Sequence, residues 1–594
     1  MMQAFDPGIV GPSYQAAMVL QDAENAINYY LEIAEVNGAK EPVALLGTPG
    51  LNPILSLIPG QVRGMWVLPG GLQALAVSSN TVYLLQVTSQ ATQTSIAQIS
   101  STVVGTLLTN SGQVCIRDNG ALVNGLGGYA VITDGPNLYY YLLSGVSYAF
   151  SFAAATLSGS NILQLPGLLP NGLIVSSSGT LTAASGNIAT GTLITVVGTI
   201  PNPNITVTMS QGASGTQAND IVTLTVPVFG RITDPGFLGS NRISFIEGWL
   251  IFNQPGTRTF FTTGPSPYQM LFPGLFYALK DSSTDNLITH QENNRELWLV
   301  GERTSEVWYN AGGTVTGTIG TTFQRVPAVG PQIGCSAWAS ITRLGPNLVW
   351  LAKNEQGENV VIETQQYAWR RISNHAIETA IASYPLVSDA IGFAYEEAGH
   401  LFYVLTFPTA DQTWVYDATS SALMQKAAWH QRLSFDPIAG VYHRHRSNCF
   451  INFGDLRLVG DYQSGQIHQM SRSYYTDAGN PLRTQRRVKH VWKKAERTRV
   501  SQSSLQIEFT PGVGLSTGQG QSPQAMLRWS NDGGFSWSNE HWRSIGRQGE
   551  TKNRAKWNRL GRARDRVFEV NFSDPCARDI VGATLWAESE DTSR

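Results

Sequence analysis

A short apolar strand, a polar turn and a second apolar strand recur along most of the chain. Seven copies of this hairpin pattern are found at Ala74–Leu85, Tyr129–Tyr141, Trp249–Phe261, Leu297–Tyr309, Leu348–Ile362, Leu401–Tyr416 and Leu456–His468. From the third copy onward, the first residues are 48, 51, 53 and 55 positions apart. A period of roughly 40 to 50 residues is typical of the four-stranded blades of a β-propeller. The sustained spacing therefore favours a propeller over a β-sandwich, whose strands also alternate.

The regular spacing breaks between the second and third copies. The stretch 135–219 contains 85 residues without a single Asp, Glu, Lys, Arg or His. From about Thr156 to Val228, short β-branched runs alternate with Ser, Gly, Asn and Pro turns, which predicts a small all-β module and not a disordered linker. No chemistry in this stretch supports a ligand-binding or decoration role.

Composition agrees with many short strands joined by turns. The 594 residues include 59 Gly and 28 Pro, and 14% are charged, against roughly 25% in typical soluble domains. This length exceeds what one hydrophobic core supports, so more than one domain is expected. After about Asn480 the chain becomes rich in Arg and Trp while still alternating, which predicts a separate β-sandwich.

We therefore predict an all-β protein: a β-propeller with an inserted small β-module and a C-terminal β-sandwich-like domain. The predicted limits are 1–60 for an N-terminal extended arm with the first strands, 61–150 and 230–480 for the two parts of the propeller, 151–229 for the inserted Ser/Thr/Gly-rich module, and 481–594 for the basic C-terminal domain.

Positive charge is concentrated near the C-terminus. The net charge is −2, yet the range 481–567 holds 18 Lys and Arg against 6 Asp and Glu. Its densest part is a run of basic residues interleaved with valines at strand spacing: Arg483, Arg486, Arg487, Lys489, Lys493, Lys494, Arg497 and Arg499. This basic cluster is a candidate for docking on an acidic protein neighbour or for facing DNA phosphates.

No catalytic, cofactor or metal site is predicted. The sequence has no HExxH, Walker A or Rossmann glycine pattern. The range Gly514–Gly518 fits GxSxG but lies in a Gly- and Gln-rich loop instead of a strand-to-helix elbow. His443 and His445 stand two residues apart, without a carboxylate or cysteine at a supporting spacing. The four isolated cysteines are expected to be buried small hydrophobic residues: Cys115, Cys335, Cys449 and Cys576.

One short motif resembles a known structural turn. Ser530, Asp532, Gly534 and Trp537 fit SxDxGxxW, which resembles the Asp-box hairpin of sialidases and other propeller proteins. The resemblance implies a fold element in which Ser and Asp bond the turn and Trp packs inward. A sialidase would also need an arginine trio and a nucleophilic Tyr with a carboxylate partner, so the motif is interpreted as structural.

Neither a secretory signal nor a membrane-spanning segment is predicted from the sequence. Met1 leads into polar and acidic residues without a basic region followed by an apolar core, so no secretory signal is predicted and synthesis in a cytoplasm is expected. The most apolar segment, Leu138–Leu157, contains several serines and a glycine and is not predicted to span a membrane.

Both ends of the chain resemble one protein family. Near the N-terminus stand Gly11–Tyr14, then Asp22–Glu32 (DAENAINYYLE), then Leu46–Leu51 (LGTPGL); near the C-terminus stands the long run Gln524–Pro575. In this order they are similar to the packaged-DNA stabilisation proteins, the tail nozzles of short-tailed bacteriophages (podoviruses). The resemblance covers nearly the whole chain except the uncharged insert.

This resemblance implies a structural virion protein and not an enzyme. A nozzle of this family is a six-fold ring attached to an adaptor (head-to-tail connector) below the portal; it retains packaged DNA and conducts it into the bacterial host. Implied partners are copies of the same chain in a hexamer, the tail adaptor, double-stranded DNA in transient passage, and tail fibre, spike or needle proteins as further candidates. No cofactor is implied. The expected location is the tail of the phage particle.

Within this reading, docking is the favoured role of the basic cluster, because each neutralised phosphate would add affinity and slow the release of DNA. The alternative function is a tail-associated β-propeller that binds or hydrolyses glycans. An enzyme of that kind should cluster carboxylates at the propeller loops, whereas candidates such as Glu396 and Glu397 have no evident partners in the sequence.

Overall fold

The computed structural model describes residues 3–16, 18, 20–36, 39–89, 98–120, 128–166, 179–197, 204–263, 272, 276–312, 322–327, 329–492 and 499–589. In these ranges the regular structure is almost entirely β-strand; the α-helices are His375–Ala382 and Ala418–Met424, and Trp338–Ser340 forms a 3-10 turn. No helix in the described ranges is long and apolar enough to cross a membrane.

Seven sheets of the described chain form the blades of a propeller, numbered here along the chain with strands given from the axis outward. Blade 1 comprises Val62–Val67, Gln73–Ser78, Thr81–Ser89 and Gln98–Thr106; blade 2 comprises Cys115–Asp118, Tyr129–Thr133, Leu138–Leu142 and Phe229–Ile232. Blade 3 comprises Ile243–Ile246, Trp249–Asn253, Thr259–Thr262 and Tyr277–Leu279; blade 4 comprises Leu287–Asn293, Glu296–Gly301, Ser305–Asn310 and Phe323–Arg325.

The remaining blades follow the same order. In blade 5, Gly334–Cys335 and Thr342–Leu344 both pair with Asn347–Lys353, followed outward by Asn359–Gln365 and Ala368–Arg371. Blade 6 comprises Ile391–Glu397, His400–Phe407, Gln412–Asp417 and Ala428–Gln431; blade 7 comprises Ser447–Phe453, Leu456–Asp461, Gln466–Ser471 and Gly50–Ser56.

Each hairpin recognised in the sequence supplies the two middle strands of one blade. Tyr129–Thr133 and Leu138–Leu142, for example, are buried at every position because neighbouring blades cover both faces of the sheet. In the sequence, a strand that is buried on both faces is a continuous run of apolar residues, and this is the clearest sequence signal of a short strand. The predicted propeller is confirmed.

The outer strand of blade 7 comes from the N-terminal part of the chain. Gly50–Ser56 pairs antiparallel with Gln466–Ser471, and the first strand of blade 7 lies beside that of blade 1. A Cβ at Gly50 would lie 2.4 Å from the Tyr474 carbonyl oxygen, so the close approach of the two backbones requires glycine here. This strand, called the closing strand below, joins the two ends of the propeller.

The insert forms a six-stranded sheet between the third and fourth strands of blade 2. Leu163, Leu181, Val207 and Leu224 from its strands are buried and share one apolar cluster with blade 2. The small β-module expected from the sequence is therefore present. Its strands are Tyr148–Thr156, Ile162–Pro166, Thr180–Ala183, Thr192–Val197, Asn204–Met209 and Gln217–Val226.

One further sheet and the continuation of the blade 6 sheet pack face to face as a β-sandwich, as expected. One contains Gln3–Phe5, Tyr29–Ile33, Val43–Gly47, Val500–Phe509, Ala555–Ala563 and Ile580–Ser589; the other contains Asn25–Ile27, Thr484–Arg487, Val491–Trp492, Gln524–Ser530, His541–Ser544 and Asp565–Phe572. Two small hairpins complete the described strands. Leu433–Asp436 with Val441–Arg444 lies between blades 6 and 7 in the sequence, and Thr476–Asp477 with Asn480–Pro481 follows blade 7 and pairs with its outer strand.

The sandwich is not made from the C-terminal region alone. The N-terminal segment contributes strands to both of its sheets, and Ile27 pairs in parallel with Gln431 of blade 6, so that one sheet runs from the propeller into the sandwich. The sequence does not reveal this arrangement because such pairings are far apart along the chain. The domain limits given above stay predictions.

A buried histidine also links the N-terminal segment to blade 6. His400 Nδ1 lies 2.8 Å from Asp417 Oδ2, and its Nε2 lies 2.8 Å from Glu32 Oε2. Burial lowers the pKa of His400, but the two carboxylates outweigh that effect and raise it above the ordinary value of 6.5. The neighbouring His430 is fully buried beside Arg432 and has its pKa held well below the ordinary value, so it stays neutral. When it is protonated, His400 therefore bridges two carboxylates.

Replacing Leu51 of the closing strand with Ala should open blade 7. Leu51 is 1% exposed and packs in a cluster with Tyr30, Phe402 and Met470, and such a truncation costs about 2–5 kcal/mol. We expect faster hydrogen exchange of the Gln466–Ser471 amides and a lower melting temperature. Leu108→Ala, at a position 67% exposed, is the matched control and should change neither. Equal exchange in both variants would contradict a closing role.

The His400 bridge should make the junction pH-dependent. A histidine whose folded pKa is raised contributes its stabilisation fully below pH 6.5 and loses it as pH rises through the folded pKa. The Tyr29–Ile33 amides should therefore exchange more slowly at pH 6 than at pH 8.5, after correction for the intrinsic exchange rate. His400→Gln keeps a donor but cannot become charged, so it should remove this dependence. A pH dependence that survives in His400→Gln would assign it to another group.

Candidate functional site

The predicted basic cluster does not form one exposed face. The side chain of Arg486 is 0% exposed, and its guanidinium donates to the carbonyl oxygens of Ile9 (2.8 Å), Pro12 (3.1 Å) and Gly8 (3.2 Å). It also lies 3.4 Å from a Glu24 carboxylate oxygen. Because nearly every donor of this guanidinium is used inside the protein, Arg486 fastens the N-terminal segment to the sandwich and cannot meet a partner in this conformation.

Two other members of the cluster are paired within the sandwich. Arg483 lies 3.3 Å from Glu540, and Arg487 lies 3.0 Å from the buried Glu569. Lys489 and Arg499 are exposed; Lys493, Lys494 and Arg497 lie outside the described residues. A docking or DNA-facing role of the cluster stays a prediction, and among its described members Lys489 and Arg499 are the two free to face a partner.

A second set of basic residues is exposed along the side of the sandwich. Arg543 of one sheet donates through Nε to the Lys556 carbonyl oxygen of the other at 3.0 Å, which joins two edge strands. In Ala555–Ala563, buried positions such as Trp557 alternate with exposed ones. We call the exposed basic residues of this side the basic face: Arg543, Arg554, Lys556, Arg559, Arg562 and Arg564.

These residues belong to the basic range 481–567, but they lie outside the cluster that the sequence singled out as a docking candidate. The sequence does contain a signal for this face. The apolar residues Ala555, Trp557 and Leu560 are separated by basic and polar positions, as in an amphipathic strand. Charge density alone pointed to residues 483–499 instead. It could not show that three arginines there point into the protein.

The Asp-box motif forms a tight turn at the edge of the sandwich. The Ser530 hydroxyl donates to Asp532 Oδ1 at 2.6 Å and accepts from the Gly534 amide at 2.7 Å, and the Ser536 amide donates to Asp532 at 2.9 Å. These donors hold the pKa of Asp532 well below its ordinary value. Trp537 is half-buried, with the guanidiniums of Arg487 and Arg528 within 5.0 Å and 4.9 Å of its ring centre.

The motif residues thus bond the turn itself, as the resemblance implied for Ser and Asp. Trp537 differs from the simple inward packing expected of it, because two arginines cover its ring and each is also paired with Glu569. The role of the turn as a structural element stays a prediction.

Among the described residues, the other candidates from the sequence do not come together as a catalytic site. His443 Nδ1 lies 2.7 Å from Asp411, the buried His445 lies 2.7 Å from the Ser447 hydroxyl, and Glu397 pairs with Arg457 at 2.9 Å. Residues Gly514–Gly518 lie in a loop of turns. In the described part of the chain no three His, Cys, Asp or Glu side chains are placed to share a metal ion. Three of the cysteines are buried and Cys449 is partly so.

The propeller axis is narrowed by side chains. A cavity of about 220 Å³ lies between the first strands of the blades. Arg242, which precedes the first strand of blade 3, donates to Gln291 of blade 4 and to the Ile341 carbonyl oxygen of blade 5 at 3.3 Å. Arg117 of blade 2 stacks 4.1 Å over the Trp66 ring centre of blade 1. Among the described residues, these side chains surround a small polar chamber at the axis.

Removing the Arg486 side chain should release the N-terminal segment. In Arg486→Gln the carbonyl oxygens of Gly8, Ile9 and Pro12 lose their donor and Glu24 loses its countercharge, and breaking a buried pair costs about 3–5 kcal/mol. We expect faster hydrogen exchange and new protease cleavage between residues 8 and 24. Arg499→Gln, a change of equal charge at an exposed site, is the control. Unchanged cleavage in Arg486→Gln would overturn the fastening role.

Comparison with solved structures gives only distant likenesses. The chain is similar to an exo-beta-1,3-galactanase from Phanerochaete chrysosporium (11% identity over 58% of this chain and 80% of that one, TM-score 0.20) and to Sqt1 from Saccharomyces cerevisiae (11%, 71% and 98%, TM-score 0.29). It is also similar to the endosialidase of phage phi92 (10%, 89% and 69%, TM-score 0.24). Scores this low carry no argument about activity.

Comparison with families is more informative. No curated protein matches the sequence significantly. Two family models do match: one described as bacteriophage P22 Gp10, beta-propeller, over residues 185–475, and one described as bacteriophage P22 Gp10, beta-sandwich, over residues 485–588. They match in the order of the propeller and the sandwich and together cover well over half of the chain. The protein is thus a structural component of a phage tail and belongs to the podovirus tail-nozzle, or packaged-DNA stabilisation, family of bacteriophage P22 Gp10.

Proposed function

We propose that the protein is the subunit of a tail nozzle that extends the portal-adaptor channel, retains packaged DNA and conducts it during ejection. The observation that carries the proposal is the succession of a propeller and a basic sandwich, each matched by a model of the same phage tail family. The N-terminal segment ties the two parts together through the closing strand and the sandwich sheets. A rigid two-part subunit of this kind suits a tube that must withstand DNA pressure.

The DNA path in this proposal lies between subunits. A chamber of about 220 Å³ has room for about seven water molecules at ~30 Å³ each and cannot admit a double helix. The proposed conduit is therefore the central opening of a ring of subunits, and the family resemblance favours six of them. Closed cyclic symmetry would give every subunit the same contacts.

The basic face is our candidate for docking on the tail adaptor. It presents several cationic side chains from two edge strands, and Glu508 is an acidic neighbour, 3.8 Å from Arg554 and 3.3 Å from Lys40. Long-range attraction between a basic patch and an acidic partner steers association. A DNA-lining position is less favourable, because each neutralised phosphate would add affinity that resists release.

Reversing charge on the basic face should block docking without unfolding the protein. Arg559→Glu with Arg564→Glu places acidic side chains at exposed positions, so the melting temperature should hold. We expect the wild-type protein to form a complex with purified adaptor rings, seen by native mass spectrometry, and the double variant to bind at least tenfold more weakly. The reason is that like charges would then face each other.

The matched control is Arg295→Glu with Arg303→Glu, the same charge change on exposed residues of blade 4. It should bind like the wild type. A wild-type protein that never associates with adaptor rings would refute the nozzle assignment. Equal weakening in both double variants would refute only the assignment of docking to the basic face.

A further inference from the structure

The chamber at the propeller axis holds hydrogen-bond donors that the protein does not satisfy. The Nε atoms of Arg117 and Arg242 and the Nε2 atom of Gln113 are all buried, and none has an acceptor among the described residues. All three side chains line the same chamber. A buried donor without an acceptor costs about 1–3 kcal/mol, and more when it is charged. Asn448 Oδ1, which lines the same chamber, is a buried acceptor that also has no partner among the described residues. The three donors outnumber it, so they call for a further acceptor.

The charged groups around the chamber also leave an excess of positive charge. Glu292 is the nearest acidic group, but its Oε1 lies 3.8 Å from Arg117 Nη2, beyond hydrogen-bond distance. Burial raises the pKa of Glu292, yet Arg117, a hydrogen bond from Ser244 and Arg242 together outweigh that effect and keep it below the ordinary value, so the carboxylate is ionised. Arg117 and Arg242 thus share one carboxylate. Arg63 also lines the chamber, but it gives its donors to carbonyl oxygens.

The other titratable groups near Arg242 add no charge. His290 is fully buried; burial and the Arg242 charge lower its pKa to about 3, so it is neutral. Burial raises the pKa of the Cys335 thiol to about 12, so it is not a thiolate. Burial also lowers the pKa of Arg242, but a guanidinium keeps its proton in proteins, so the chamber keeps its positive charge.

The walls limit what can enter. Trp66 and Trp338 contribute aromatic surface, and the chamber measures about 220 Å³. Arg117 already covers one face of Trp66, and its planar guanidinium presents Nε at the edge, the geometry that suits a two-oxygen acceptor. A phosphate, a sulfate or a small carboxylate fits both the volume and the donors, whereas a nucleic acid strand or a peptide does not.

We propose that the propeller axis is a binding site for a small oxyanion, a carboxylate or a phosphate, held between Arg117 of blade 2 and Arg242 of blade 3 with Gln113 as a third donor. The bound anion neutralises the excess charge. Because Arg242 also donates to blades 4 and 5, the anion ties the first strands of several blades together and stiffens the ring. This proposal does not depend on the nozzle function.

Isothermal titration calorimetry on the full chain tests the site. Potassium phosphate and sodium glucuronate are titrated separately, with sodium chloride at equal ionic strength as the blank, because excluded anions stabilise proteins without a site. We expect saturable binding of one ion per chain. Binding of phosphate alone identifies an inorganic oxyanion site, and binding of glucuronate alone identifies a carboxylate site; either supports the proposal.

Two variants and a control make the result specific. Arg242→Gln removes one charge and should abolish binding. Arg117→Lys keeps the charge but loses the planar pair of donors, so it should weaken binding about tenfold even if Arg242→Gln fails to fold. Arg325→Gln, on the outer strand of blade 4 with its side chain 41% exposed, should bind as the wild type does. Absence of saturable binding in the wild type, or equal binding in Arg117→Lys, would overturn the proposal.

Discussion

The pairing of Gly50–Ser56 with Gln466–Ser471 closes the ring of blades. Without it, blade 7 would expose an unpaired strand edge, which invites pairing with other chains. The chain that continues from this strand into blade 1 would also lose its attachment to blade 7. The strand also positions the residues that precede it. These residues pair with the outer strand of blade 6 and contribute strands to both sheets of the sandwich. One long-range strand pairing therefore holds the propeller shut and joins it to the sandwich.

Buried arginines show two different uses of the same side chain. Arg63 of blade 1 gives its donors to the carbonyl oxygens of Ser79, Thr109, Ser111 and Gly112, and Arg486 does the same for the N-terminal segment. Such arginines hold loops together because nearly all of their donors meet acceptors. Arg117 and Arg242 differ because each has a buried Nε without an acceptor among the described residues, and both line one chamber.

The distribution of charge explains how a chain of small net charge can still present a basic surface. Acidic residues of the sandwich, such as Glu569, pair with arginines inside the domain, whereas the edge strand Ala555–Ala563 carries exposed cations. Charged edge strands also resist unwanted pairing with other strands. The basic face thus protects a sheet edge and offers an attractive surface to an acidic neighbour.

The sequence by itself determined the class of the fold and the seven hairpins at the middle of the blades, because strands buried on both faces must be continuous apolar runs. It also determined the insert, through its lack of charge, and the sandwich, through its alternation. The first and last strands of each blade gave weaker signals, since they meet a polar chamber or solvent. Only the tertiary structure decided that Gly50–Ser56 closes the ring, that Arg486 points inward, and that Arg117 and Arg242 meet at the axis. Each of these depends on residues brought together across long stretches of chain, which local pattern does not encode.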